Sequence, residues 1–340
     1  MAPPRPPGSA QVWDVHAHYL PSSALDLMGR GQVQVHLETV DAVADSITVN
    51  GMPVGATIHQ LSSVPGMVEA TDRAGIDRRV LSPPPFTCRY WDDPAETLRL
   101  DRLLNEATAA VVADHPDRFV GLATVPLQDT EAAIAEAHRA RDELGLVGVT
   151  LGTNVAGGNV DDEERRPFLA AVAEAGMPVL IHPDFVPNPR LADYYLVNLI
   201  GLPVESTITM ANMVFSGVFE ELPGLRVCFV HGGGVGPYLL GRWDKGWQVR
   251  PESRVDRPTP PSQGLANVFC DTLTHSPPAL SFLVEMLGEA NVVIGTDLPF
   301  DVEDADPRGH LRKAPRLTPA QIDVIETVSP IRWLTGDSPQ

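Results

Sequence analysis

Short apolar runs recur along the whole chain, and most are followed by a segment with helical rhythm. The runs are Val12–His16, Arg79–Ser82, Phe119–Val125, Val147–Leu151, Pro178–His182, Leu225–Val230, Asn267–Asp271 and Asn291–Gly295. Apolar and β-branched residues dominate them, the pattern of parallel strands buried on both faces. Between them, Thr130–Leu144 is rich in Ala, Glu and Arg and stops at Gly145, and Asp161–Ala175 stops at Gly176. A glycine just past the last turn takes the left-handed conformation that ends a helix. Ser276-Pro277 reads as an N-cap followed by proline at the first helical position, opening a helix through Leu287, and Thr318-Pro319 repeats the signal. About eight strands alternating with helices predict an α/β fold, a (β/α)8 TIM-type barrel. An open doubly wound sheet is the competing arrangement, but no Gly-rich dinucleotide fingerprint follows the first strand.

One stretch breaks the alternation. Roughly sixty residues separate the first two strands, long for a barrel loop. Val33-Gln34-Val35-His36-Leu37 alternates apolar and polar positions, and Ile47–Val54 carries Asn50-Gly51, a strong hairpin-turn signal. A small antiparallel insertion within 20–70 is therefore expected at the barrel mouth, with Pro53 at an edge because proline offers no N–H to a ladder. The Pro-rich start, 1–10, is expected to form a disordered arm, and 11–337 a single barrel domain.

Composition narrows the partners more than the fold. With 43% hydrophobic and 20% charged residues, the 340-residue chain can bury a large core. A net charge of −19 argues against a non-specific nucleic-acid binder, which needs a basic face for phosphates, and against an anionic membrane surface. Cys88, Cys228 and Cys270 are too few and too scattered for a disulfide framework or a Cys-type zinc site. Two of them lie in apolar runs, so buried reduced thiols and a cytoplasmic setting are expected. No segment has the pattern of a signal peptide or the length of a membrane span.

Candidate chemistry gathers where the strands end. In Asp14-Val15-His16-Ala17-His18, residues i and i+2 project to the same face of a strand, so both imidazoles can point into the barrel mouth. His182 closes the fifth run, His231 and Gly232-Gly233-Gly234 follow the sixth, and Asp297 follows the eighth. Each alone suits a core histidine or a capping carboxylate. Together they bring metal-competent or acid–base side chains to the C-terminal ends of four strands, where barrel enzymes build their sites. His16, His18, His182 and Asp297 form a ligand set that leaves a position open for water or substrate. His231 is then available as a general base. Asp297 has a second possible role, bridging metal and water as a proton carrier. The glycine run allows close backbone approach and, opening a helix, also suits an anion.

These residues and their surroundings resemble the amidohydrolase-2 family from about Val12 to Leu334. The similarity is carried by Gly121–Asp129, by His231-Gly232-Gly233-Gly234 with Leu239-Leu240-Gly241-Arg242 and Trp247, and by Gly295–Phe300. The resemblance implies one divalent metal ion, Zn2+ or in some relatives Mn2+, with His231 as the acid–base histidine. The implied activity is non-oxidative decarboxylation of an unsaturated or aromatic carboxylic acid. Because Thr150-Leu151-Gly152 ends the fourth strand without a lysine, a binuclear site is not expected. The family's habit of pairing implies a homodimer in which an arginine reaches the partner's substrate, here Arg242 or Arg250. Tyr194 and His275 stand where further substrate contacts are expected, whereas Val54-Gly55-Ala56 occupies the place of an arginine in the family's decarboxylases. Hydrolysis of an amide, lactone or vinylogous C–C bond is the alternative, since the same ligands and histidine can serve both reactions.

Overall fold

The computed structural model describes residues 10–24, 38–41, 45–49, 52–184, 186, 188–254 and 258–336. Most of the Pro-rich arm, Val33–Leu37 and the Asn50-Gly51 turn lie outside the described residues. Eight strands follow one another around one parallel sheet in chain order: β1 (Trp13–His18), β2 (Arg78–Ser82), β3 (Phe119–Ala123), β4 (Gly148–Leu151), β5 (Val179–Ile181), β6 (Val227–Phe229), β7 (Val268–Asp271) and β8 (Val292–Val293). The longer helices between them are α1 (Val64–Ala74), α2 (Pro94–Asp114), α3 (Thr130–Asp142), α4 (Arg166–Glu174), α5 (Leu202–Phe215), α6 (Gly236–Val249) and α7 (Pro277–Leu287), and α8 (Ser329–Thr335) ends the barrel. The ring closes through backbone bonds from β1 to the segment after β8. The Val15 N–H donates to the Ile294 carbonyl at 2.8 Å and the His18 N–H to that of Leu298 at 2.7 Å. The expected TIM-type barrel is the observed one.

Strand parity builds two cores. Val80, Leu122, Leu180, Cys228, Phe269 and Val293 come from six different strands yet pack as one cluster with Trp13, Val15 and Trp333, which places them inside the ring. Their neighbours Val179, Ile181, Val227, Phe229, Val268 and Cys270 pack with the helices. Both faces of each strand are thus dry, which explains the near-continuous apolar runs. β1 departs from strict alternation: Asp14 pairs with Arg79 but Ala17 with Leu81, one extra residue on β1. This bulge lets Trp13 and Val15 join the interior while His16 and His18 reach the mouth.

Side-chain caps open some of the helices, whereas Ser276, at the N-cap position of α7 as expected, makes no side-chain cap bond. Asp93 accepts from the amides of Ala95 and Glu96 to open α2, and Asp129 accepts from Ala132 to open α3. The helix expected over Asp161–Ala175 starts only at Arg166, because the Asp162 carboxylate accepts from the Asn159 amide and from Arg165, stabilising a turn over the preceding residues. In the insertion, Glu38–Asp41, Ser46–Val49 and Met52–Pro53 form an antiparallel sheet in that order, with Pro53 on its edge strand. The segment from Val64 onward, inside the range expected for the insertion, is α1 of the barrel. All three cysteines are free and buried. Among the described residues, no helix is long and apolar enough to cross a membrane.

Candidate active site

His16, His18, His182, His231 and Asp297 meet at the C-terminal mouth of the ring. The Nε2 atoms of His16 and His18 lie 3.2 Å apart, and Asp297 Oδ1 stands 3.2 and 3.0 Å from them. Two donors bound to one ion at about 2.1 Å each stand about this far apart. His182 Nε2 is 3.8 Å from the same oxygen, too far for a hydrogen bond, and this buried atom has no protein partner. A buried nitrogen aimed at other donors without a partner fits a metal ligand better than a packed core histidine. One ligand atom from each of His16, His182, His231 and Asp297 lies within 4.8 Å of the others. That grouping omits His18, but its contacts with His16 and Asp297 place it in the same cluster.

The outer nitrogens set His231 apart from His16 and His182. His16 Nδ1 lies 2.8 Å from Asp271 Oδ2, and the carboxylate acceptor requires the hydrogen on Nδ1, leaving the Nε2 lone pair free. His182 Nδ1 is held in the same way by the Pro183 carbonyl at 2.9 Å. His231 differs: its Nδ1 has no partner, its Nε2 is 3.4 Å from Asp297 Oδ2, and its side chain is 17% exposed to the cavity. With no fixed tautomer and with access to a ligand, His231 is suited to carry a proton rather than to serve only as a ligand.

The field at the site is strongly polarised. Burial alone would raise Asp297, but His16, His18 and His182 outweigh it and hold the carboxyl well below its usual range. Burial pushes His182 down to about 3, so the ring is a neutral donor. His16 goes the other way, to about 10, because Asp297 and Asp271 outweigh its burial. Two carboxylates thus favour positive charge at His16, as a proton or as a cation in its place.

Asp271 was legible only as the end of a predicted strand. Besides the Oδ2 contact with His16, its Oδ1 accepts from the amides of Gly232 at 2.8 Å and Leu273 at 3.1 Å, tying His16 to the loop that carries His231. Asp271→Asn is expected to weaken metal binding about 10- to 100-fold. Competition with a chelator at equilibrium measures this, and an unchanged affinity would remove the role. Asp14 was also missed as a support. It accepts from the His16 amide at 3.0 Å and the Thr296 hydroxyl at 2.6 Å and pairs with buried Arg79, so the ends of β1 and β8 share one polar network.

The glycine run supplies space rather than an anion cradle. A Cβ on Gly233 would stand 2.6 Å from Cys270 Sγ, and one on Gly234 2.1 Å from the Pro203 carbonyl oxygen. The amides of Gly232, Gly233, Gly234 and Val235 are donated to Asp271, Val230, His231 and Thr207, leaving none turned to a ligand. His231, Asp297 and His275 adopt positive φ of 55°, 61° and 53°, sparsely populated for such residues and concentrated here at the cavity.

The cluster opens into a cavity of about 650 Å3, in the range of small-molecule sites. His275 lines it, with Tyr195, Phe86, Phe282 and Phe300 and with Pro53, Val54 and Gly55 of the insertion. Tyr194 does not; it is 87% exposed, and its neighbour Tyr195 takes the place expected for it. Arg242 and Arg250 are exposed on and just after α6, Arg250 paired with Glu252, and neither lines the chain's own cavity.

Comparison with known proteins bears on the family and the fold. Over 242 residues the chain is 39% identical to a 2-amino-3-carboxymuconate-6-semialdehyde decarboxylase of Dictyostelium discoideum, covering 71% of this chain and 67% of the relative. The fold matches 5-carboxyvanillate decarboxylase from Sphingomonas paucimobilis with a TM-score of 0.81 at 24% identity, over 96% of this chain and 99% of that one. It also matches the 5-carboxyvanillate decarboxylase of Novosphingobium aromaticivorans, solved with manganese and 4-hydroxy-3-methoxy-5-nitrobenzoic acid, with a TM-score of 0.79 at 22% identity and 96% of each chain covered. Residues 13–325 match the amidohydrolase family, and with the barrel and the strand-end donors in place, the chain belongs to it.

Proposed function

We propose that this chain is a metal-dependent non-oxidative decarboxylase of an unsaturated or aromatic carboxylic acid. The observation that carries the proposal is the convergence of His16, His18, His182 and Asp297 on one point, with His231 beside them facing an apolar cavity. Three imidazoles and a carboxylate suit Zn2+ first and also accept Mn2+. When bound, the ion supplies Lewis-acid stabilisation to the substrate's carboxylate and a neighbouring oxygen. The chain's residues do the rest. The apolar walls hold the ring and exclude water from the reacting carbon. As the bond to the carboxylate breaks, its electron pair stays on the substrate carbon, CO2 leaves, and His231 delivers a proton to that carbon. The histidine regains its proton through the open side of the cavity. Asp297, held ionised, stands 3.4 Å from His231 Nε2 and keeps the ring beside the cluster.

The same reading includes a homodimer. Ile200, Val204 and Ile208 are exposed at four-residue spacing along the helical segment into α5, and Leu199 and Tyr238 are exposed close by at the cavity rim. An exposed apolar stripe of this kind is suited to contact with a partner. Sedimentation equilibrium should give twice 36.6 kDa. The activity is tested by elemental analysis of the purified protein beside CO2 release from a panel of hydroxybenzoic and unsaturated acids. About one zinc or manganese per chain with CO2 release supports the proposal. Hydrolysis of esters or amides without any CO2 release would move the assignment to a hydrolase.

A further inference from the structure

The loop that carries His231 follows an uncommon path. His231, Gly232, Gly233 and Gly234 succeed one another at φ of 55°, 62°, 71° and 65°. Four successive residues in the left-handed region form no regular element, so contacts from outside matter to where the loop runs. Its two ends are held by side chains. At the entry, Asp271 accepts from the Gly232 amide at 2.8 Å; at the exit, the Val235 amide donates to the Thr207 hydroxyl at 2.9 Å. Asp271 also serves His16, but Thr207 stands on α5, outside the donor cluster, and is 8% exposed. A hydroxyl has one hydrogen and two lone pairs. Here the hydrogen goes to the Pro203 carbonyl one turn back, at 2.8 Å, which turns the lone pairs toward Val235. The glycines let the loop come this close. A Cβ would stand 2.6 Å from Met210 Cε on Gly233, 2.7 Å from Thr207 Oγ1 on Gly234 and 2.6 Å from Met210 Sδ on Gly236.

We propose that Thr207 is a positioning residue: by holding the Val235 amide it fixes the exit of the glycine loop, and so sets where the His231 ring stands relative to Asp297 and the cavity. The proposal rests on the reading of His231 as proton carrier and goes beyond it in naming what places that histidine. The ring has little else to orient it. Its Nδ1 has no partner, and its Nε2 is 3.4 Å from Asp297 Oδ2, at the long end of a hydrogen bond. Val235 itself is 45% exposed, so an amide released by Thr207 can turn to water. Loss of the hydroxyl therefore loosens the loop rather than leaving a buried donor that would unfold the barrel.

The test compares Thr207→Val, which keeps the shape, and Thr207→Ala, which does not, with Thr207→Ser, which keeps the hydroxyl. In the metal-loaded full chain, amide hydrogen exchange over 231–236 should speed up about fivefold or more in the valine and alanine variants. The serine variant should stay within about twofold of the parent. With the panel acid that releases CO2, kcat should fall about 10- to 100-fold without the hydroxyl, at near-parental KM and metal content, and serine should recover most of the loss. Parental exchange or parental kcat in the valine and alanine variants would overturn the proposal. So would equal losses in all three variants, which would mean packing rather than the hydroxyl, or a loss of metal that tracks the loss of activity. A parent protein that releases no CO2 from any acid, with the exchange difference present, would sink the decarboxylase reading and leave the placing of the His231 loop by Thr207 standing.

Discussion

His231→Ala should keep the metal content of the parent protein and lose at least about a hundredfold in kcat, the usual worth of a positioned acid–base group. The expectation follows from the contrast among the histidines. His16 and His182 have their outer nitrogens tied to Asp271 and to the Pro183 carbonyl, whereas His231 Nδ1 is tied to nothing. Its ring is also the one whose side chain is partly open to the cavity. Removing it takes away the proton carrier while leaving four donors in place. The His231 backbone sits at φ 55°, a conformation strained for alanine as for histidine, and a melting curve separates any change in stability from the loss of turnover. Metal loss in this variant would make His231 a ligand, and undiminished kcat would remove it from the chemistry altogether.

His182→Ala should lose most of its bound metal and, with it, activity. His182 is the strongest test of the ligand set because its Nε2 is buried with no protein partner, so a structural role would leave that atom unsatisfied. His16 would be a less clean choice: its replacement also strands Asp271, a fully buried carboxylate. Elemental analysis after dialysis measures the effect, beside parent protein stripped by a chelator. A variant that behaves like stripped parent protein in both activity and melting temperature has lost only its metal. Full metal retention would end the assignment of His182 as a ligand.

Much of this site could be read from strand ends. His16 and His18 share parity, His182 terminates an apolar run, and Asp297 follows the last one; in a barrel such positions have few places to go but the mouth. What could not be read was support from a distance in sequence. Asp271 meets His16 across 255 positions, and Thr296 meets Asp14 across 282. Neither pairing leaves a local pattern, because neither residue changes the rhythm of its own strand. The substrate wall was harder still. Tyr194 and Tyr195 are adjacent, and only the turn of the backbone, with both at positive φ, decides which of them faces the cavity. Arg242 has the composition of a carboxylate binder, yet its place on the outer face of α6 leaves it exposed in the single chain.

The sequence by itself determined the barrel, the metal-competent residues and the candidate acid–base histidine. Apolar periodicity and strand-end position are local properties, and a closed parallel barrel turns them directly into location. Only the tertiary structure decided how the donors are oriented, whether the glycine amides are free, and which side chains hold the loop that carries His231. Those depend on contacts between residues far apart in the chain. A bulge in β1, a carboxylate on β7 and a hydroxyl on α5 each act through distances of a few ångströms, which sequence spacing does not encode.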